Sequence, residues 1–190
     1  MKRRIHIYGD EVLRAKAQPV AEVNRRIRAL AADMIEVMRA EKGVGLAAEQ
    51  VGETLALCVL GVPPEYDRDE TGARINPGVD MPAVLINPEI LERSKEAEVA
   101  DEGCLSFPGI YVPVARSVEI RLRYTDLDGR SQTRTFRKFV ARVAQHEIDH
   151  LNGVLLVDRM SPLKRIALSG QLKRMKQETR ERLGSVAGDG

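Results

Sequence analysis

The stretch Gln145-His146-Glu147-Ile148-Asp149-His150 decides how the rest of the chain is read. It carries two of the chain's three histidines, four residues apart. On a helix, positions i and i+4 lie one above the other on one face, so two imidazoles so spaced can grip one metal ion from the same side. Glu147 is the next residue round that helix, and its carboxylate can reach a water on the metal without being a ligand. An H-E-x-x-H pattern therefore offers two ligands and a general base. Five residues of this kind also fit an exposed charged turn, so the remainder of the chain must choose.

The chain has 190 residues, 43% hydrophobic and 31% charged, which fits one globular domain with a proper core. Thirty basic against twenty-eight acidic residues leave a formal charge of +2, which argues neither for nor against nucleic acid. No apolar run approaches the ~18 residues needed to cross a bilayer. The basic start Lys2-Arg3-Arg4 has no apolar segment behind it, unlike a signal peptide. Two cysteines are too few for a disulfide scaffold and point to a reducing cytoplasm, where an isolated cysteine is a ligand or a core residue.

Residues 5–22 read as an N-terminal arm. From Val23 a helix is expected, with Ile27, Leu30, Met34, Val37 and Met38 at helical spacing and Gly43 as its stop. In Gly43-Val44-Gly45-Leu46-Ala47-Ala48-Glu49-Gln50 two glycines one residue apart permit close approach of a ligand, but the ending of a phosphate loop is missing. Leu55–Val62 reads as a buried strand containing Cys58, a small core residue. Residues 63–82 form a surface loop. Ala83–Ile86 is a strand stopped at Asn87-Pro88, with a further strand or bend over roughly 90–99. Val118–Tyr124 alternates as a half-buried strand, Asp128-Gly129 makes a hairpin turn, and Thr133–Phe136 returns. A helix from Phe139 to about Asn152 carries the histidines. A last helix follows Pro162 over 163–183, weakened at Gly170, and 184–190 form a flexible tail. The class is α+β, with short antiparallel strands around a central metal-binding helix and helices at both ends, in a single domain over 1–190.

Two histidines need a third ligand. Asp149 points off their face and His6 lies far away in the arm. The remaining soft donor is Cys104, held between Gly103 and a proline-glycine turn. One Cys and two His leave a tetrahedral position for water, the pattern of a catalytic site. The metal would acidify that water, Glu147 would accept its proton, and Gln50 and a backbone N–H beside Cys104 are candidate oxyanion donors.

Three segments together, Gly43–Gln50, Glu102-Gly103-Cys104-Leu105-Ser106 and Gln145–Leu151, resemble the three signature motifs of peptide deformylases, in order and at familiar separations. Ile86-Asn87-Pro88 and Asp126-Leu127-Asp128-Gly129 add to the likeness, which covers roughly residues 5–160. Phe107-Pro108-Gly109, Ala141-Arg142 ahead of the third motif and the helical C-terminus look more like the bacterial and organellar type I branch. The resemblance implies removal of the N-formyl group from the formyl-methionine of new chains, releasing formate. It implies one divalent metal, Fe²⁺ in the cell with Ni²⁺, Co²⁺ or Zn²⁺ as substitutes, held by Cys104, His146 and His150. It makes Glu147 the general base and then acid, and has Gln50 and the Leu105 N–H steady the oxyanion. It has backbone at Val44, Gly45 and Gly103 hold the peptide, and a methionine pocket of Val44, Phe139 and Val143, the last two placed by helical spacing from His146. It pairs Glu102 with Arg116 beside the cysteine loop.

An H-E-x-x-H metalloprotease would want a third ligand downstream, and no histidine follows residue 150. A non-enzymatic zinc domain would want a fourth protein ligand, which neither His6 nor Cys58 supplies by spacing. The C-terminal helix is basic, with Lys164, Arg165, Lys173, Arg174, Lys176, Arg180 and Arg182 against Glu178 and Glu181. Formylated nascent peptides as substrate make ribosomal RNA phosphate the partner expected for that helix, without sequence-specific nucleic-acid binding and without a membrane. Leu163, Ile166, Leu172, Met175 and Leu183 are expected to hold its other side against the domain.

Overall fold

The computed structural model describes residues 3–188. Its frame is a five-stranded antiparallel sheet in the order β1-β2-β3-β6-β7, formed by Gly45–Ala47, Leu57–Leu60, Ala83–Arg93, Glu119–Thr125 and Ser131–Arg137. A separate two-stranded ribbon pairs β4, Ala97–Gly103, with β5, Tyr111–Ser117. Two long helices sandwich the large sheet, α1 over Arg25–Ala40 and α2 over Lys138–Leu151. The expected α+β class, with antiparallel strands and helices at both ends, is what is observed. No helix among the described residues is long and apolar enough to cross a membrane.

The sequence of β2 explains its place. Leu57-Cys58-Val59-Leu60 is apolar at every position, and all four side chains are buried because both faces of the strand are covered. Leu57 and Val59 belong to the same core cluster as Met34 and Met38 of α1, whereas Cys58 and Leu60 belong to that of Val140, Ala141 and Ile148 of α2. One strand thus separates two cores. The ribbon is simpler: in β5, Val112, Val114 and Arg116 point inward and the alternate residues are exposed.

Several boundaries differ from the sequence reading for identifiable reasons. Helix α1 starts after Asn24, whose side chain accepts from the Ile27 N–H at 3.1 Å. It ends at Ala40, where Lys42 takes the left-handed conformation (φ 57°) in place of a glycine and the Gly43 N–H closes on the Met38 carbonyl at 2.8 Å. A Cβ on Gly43 would lie 2.9 Å from the end of the Leu105 side chain, which would then have to shift. Strand β3 does not stop at Asn87-Pro88. It passes through them in a bulge, marked by a register shift between Ile86 and Glu89, where proline's missing N–H costs no ladder bond. Asn87, at φ 51°, turns its amide onto the arm, exchanging hydrogen bonds of 2.8 Å with both the N–H and the C=O of Val20. The C-terminal helix is two helices, α4 over Pro162–Ala167 and α5 over Ser169–Gly188, broken at Leu168 just before Gly170. Of residues 184–190, expected as a tail, 184–188 continue α5 and 189–190 lie outside the described residues. Leu172 and Met175 pack on the domain beside Phe107 and Leu155, but Leu163 and Ile166 are 79% and 71% exposed and hold nothing.

The arm is more than a leader. Its backbone donates from His6 to the Gln50 carbonyl, from Tyr8 to the Ser106 carbonyl and from Ala17 to the Leu151 carbonyl, at 2.8–2.9 Å. Those acceptors belong to the three motif segments, so one short extended chain ties them together.

The sheet core should be sensitive to a cavity at Phe136, fully buried between the Tyr124 ring and Val140. Phe136→Ala should cost about 3–5 kcal/mol in urea unfolding of the whole chain. A loss below about 1 kcal/mol would contradict the packing described.

Candidate metal centre and active site

Helix α2 presents His146 and His150 on one face, their rings 5.1 Å apart at 66°. Cys104 leaves the end of β4 in a turn closed by the Phe107 N–H on the Cys104 carbonyl at 2.9 Å. The donor atoms of Cys104, His146 and His150 all lie within 4.8 Å of one another, and Cys104 Sγ is 3.3 Å from His150 Nε2. No other such group of three occurs among the described residues. His6 lies apart, its Nδ1 paired with Asp10 at 2.6 Å. Cys58 is fully buried, and burial pushes its thiol up, with the Glu147 and Glu49 carboxylates adding.

Two ring nitrogens next to a soft sulfur, with no fourth protein donor in the group, form a donor set that fits a four-coordinate cation keeping one exchangeable position. His146 is prepared for it. Its Nδ1 stands 3.0 Å from Glu102 Oε2, and an ionised carboxylate can only accept, so Nδ1 carries a proton and Nε2 is the nitrogen left to face the donor group.

Glu102 holds that arrangement. It is buried on β4 and also accepts from Arg116 Nε and Nη2, both at 2.9 Å, and from Arg142 Nη1 at 2.8 Å. Burial alone would raise its pKa, but the hydrogen bonds from His146 and Arg116 outweigh it and set the value at about 2. Arg142, which in the sequence merely precedes the third motif, is thereby a partner of the ribbon, and it also donates to the carbonyls of Val114 and Glu98.

Glu147 sits on the next position of α2, 4% exposed, with Oε2 lacking a hydrogen-bond partner among the described residues. Desolvation lifts its pKa to about 7, opposed by nearby His146 and reinforced by the charge of Glu102. Gly45 must be glycine beside it: a Cβ there would fall 2.3 Å from Glu147 Oε1. Gln50 is buried, its Oε1 accepting from the Ala47 N–H at 2.9 Å and its amide nitrogen 3.1 Å from Ser106 Oγ and 3.5 Å from Cys104 Sγ. Ser106, fully buried, is a partner that the sequence reading did not single out. Nor did it foresee Glu49, which is fully buried with both carboxyl oxygens unpartnered among the described residues. Burial raises Glu49 to about 8, with the neighbouring Glu147 adding to it, so Glu49 is largely neutral at pH 7.

A cavity of about 470 Å³ opens onto these groups. Val44, Gly45, Gly103, Phe139, Val143 and Glu147 line it, and Gln50 and Leu105 reach it.

A family model described as polypeptide deformylase matches residues 2–166. The chain belongs to the peptide deformylase family. It is similar to the peptide deformylase of Thermotoga petrophila, 43% identical over 169 residues covering 89% of this chain and 93% of that one. The enzyme of Dictyoglomus thermophilum is 45% identical over 159 residues, 84% of this chain and 93% of its own. Among solved structures, the Thermotoga maritima peptide deformylase superposes with a TM-score of 0.73 at 42% identity, covering 85% of this chain and 99% of that one. Arabidopsis thaliana peptide deformylase 1B in complex with an inhibitor superposes with a TM-score of 0.82 at 34% identity, covering 95% and 94%. The second match spans more of this chain than the first.

Because Glu102 is held below its ordinary value of 4.5, its stabilising contribution is complete above that pH and is lost as pH falls towards 2. The shift corresponds to about 3 kcal/mol. In metal-free protein, Glu102→Gln should flatten the decline in stability between pH 5 and pH 2 relative to the parent. Parallel pH profiles for the two would contradict the assigned environment.

Proposed function

We propose that Cys104, His146 and His150 hold the metal of a deformylase site in which Glu147 moves the protons. As a peptide deformylase, the chain removes the N-formyl group of nascent polypeptides and releases formate. The observation that carries the residue assignment is the three-donor group opening on the same cavity as the buried Glu147 carboxylate. Bound there, a divalent cation supplies Lewis acidity, polarising the formyl carbonyl and acidifying a water.

The remaining work falls to the chain itself. Strand β1 is the edge of the large sheet, so its backbone can take an extended peptide as an added strand, with Val44 and Gly45 on one side and Gly103 across the cavity. The methionine side chain enters between Val44, Phe139 and Val143. Water adds to the formyl carbon as its proton passes to Glu147, whose pKa of about 7 suits both accepting and returning a proton. The Gln50 amide and the Leu105 N–H steady the charge that develops on the formyl oxygen. The C–N bond then breaks, Glu147 gives its proton to the leaving amine, and formate departs. Thiolate and two imidazoles suit Zn²⁺ as well as Fe²⁺; the choice of Fe²⁺, with Ni²⁺ or Co²⁺ active in its place, follows the family resemblance. The setting proposed is the cytoplasm, where the substrate leaves the ribosome. An H-E-x-x-H protease is not favoured, since the cysteine completes the donor set.

Glu147→Ala should keep one equivalent of metal and lose turnover by about 10²–10⁴-fold on formyl-Met peptides. Loss of the metal in this variant, as in His146→Ala, would make Glu147 a ligand and not a base.

The basic face of α4 and α5 is proposed to dock on ribosomal phosphates. In support, Arg165, Lys173, Arg174, Lys176, Arg180 and Arg182 are exposed, while Leu172 and Thr179 face the domain. Replacing Lys173, Arg174, Arg180 and Arg182 by Ala should weaken co-sedimentation with ribosomes and reduce its log–log salt slope by about one for each phosphate no longer neutralised. Binding equal to the parent across the salt series would return the helix to an ordinary solvated face.

A further inference from the structure

The charged network around His146 does not stop at Glu102. Two buried guanidinium groups, Arg116 and Arg142, share the Glu102 carboxylate, which leaves one positive charge unbalanced. The second anion is Asp149, which accepts from Arg116 Nη1 at 2.6 Å. Asp149 lies between the two histidines in sequence and meets the same Arg116 that holds Glu102. Its carboxylate is gripped from outside by Arg159, on the short helix α3 over Leu156–Arg159, which donates from Nε at 2.8 Å and also from Nη2. A continuous chain of charged hydrogen bonds therefore runs from a surface arginine, through Asp149, Arg116 and Glu102, to His146 Nδ1.

We infer that Asp149 and Arg159 are positioning residues for the metal centre, holding His146, through Arg116 and Glu102, in the orientation and tautomer that present its other ring nitrogen. The inference rests on the reading of the site given above. Without the Asp149 charge, both guanidinium groups have only Glu102 to neutralise them. Its electron density is drawn away from the His146 N–H, the ring becomes a poorer donor, and its orientation loosens. Arg159 acts one step further out. Its two-pronged grip fixes the plane of the Asp149 carboxylate so that one oxygen stays on Arg116. The competing account is a staple that pins α3 to α2 and leaves the centre untouched.

The two accounts separate in the full-length protein carrying Co²⁺, whose visible absorption reports ligand geometry. The variants are Asp149→Asn, Arg159→Met and Arg159→Lys. Each is measured for cobalt loss to a chelator, for its cobalt spectrum, and for its metal-free melting temperature. Positioning predicts cobalt loss about 10- to 100-fold faster in Asp149→Asn, and roughly three- to tenfold faster in Arg159→Met, with altered cobalt bands in both. Arg159→Lys keeps the charge without the fork and should fall between Arg159→Met and the parent. Arg159 is a surface residue, its side chain 42% exposed, so its variants decide the matter even where Asp149→Asn does not fold. A lower metal-free melting temperature in Arg159→Met, with the parent's cobalt spectrum and loss rate, would overturn the inference in favour of a staple. A parent protein that takes up no cobalt would instead overturn the reading of the site, and this inference with it.

Discussion

The Glu102 carboxylate is the group on which the site depends. It is buried, ionised down to about pH 2, and accepts from two arginines and one histidine drawn from β5 and α2. A charge taken out of water is tolerated only when its lone pairs are filled, and here the filling groups are those that must be placed. Through Arg116 the ribbon is fixed to itself, through Arg142 it is fixed to α2, and through His146 the same carboxylate orients an imidazole. Cys104 follows Glu102 by two residues, so whatever fixes the end of β4 also fixes the sulfur.

A second constraint acts on the backbone. The three motif segments are distant in sequence and lie on a strand edge, a ribbon end and a helix. The arm collects them with one hydrogen bond each, from His6, Tyr8 and Ala17. The Tyr8 ring stacks on Phe107 at 4.8 Å, and Gly9 lets the arm pass so close to α5 that a Cβ there would fall 2.8 Å from the Lys176 backbone. The C-terminal helix is therefore coupled to the cysteine loop through apolar packing, while its basic face points outward.

Much of this was legible in the sequence. The i, i+4 histidines, the alternation of β6 and the all-apolar β2 each follow from one periodicity, and the cysteine could be reached by asking for a third soft donor. What escaped the sequence depends on tertiary pairing. Strand β3 runs through Asn87-Pro88 because a bulge and the Val20 backbone absorb the irregularity, which no local pattern announces. Strand β5 carries no clear strand signal because Pro113 and Arg116 break an otherwise apolar alternation, and Arg116 points inward to meet Glu102 and Asp149. Gly43 closes helix α1 as its position suggests, but the left-handed residue is Lys42, which no local pattern marks. The burial of Glu49, an acidic residue in a motif, has no sequence signal at all.

The proposed site needs one cation, held by Cys104, His146 and His150, for deformylation. It is tested most directly by titrating anaerobic, metal-free protein with Fe²⁺ while measuring formate release from a formyl-Met peptide. Activity should rise linearly, saturate at one equivalent per chain, and stay at background in Cys104→Ala at the same iron concentrations. Full formate release without metal, or undiminished activity in Cys104→Ala, would contradict it.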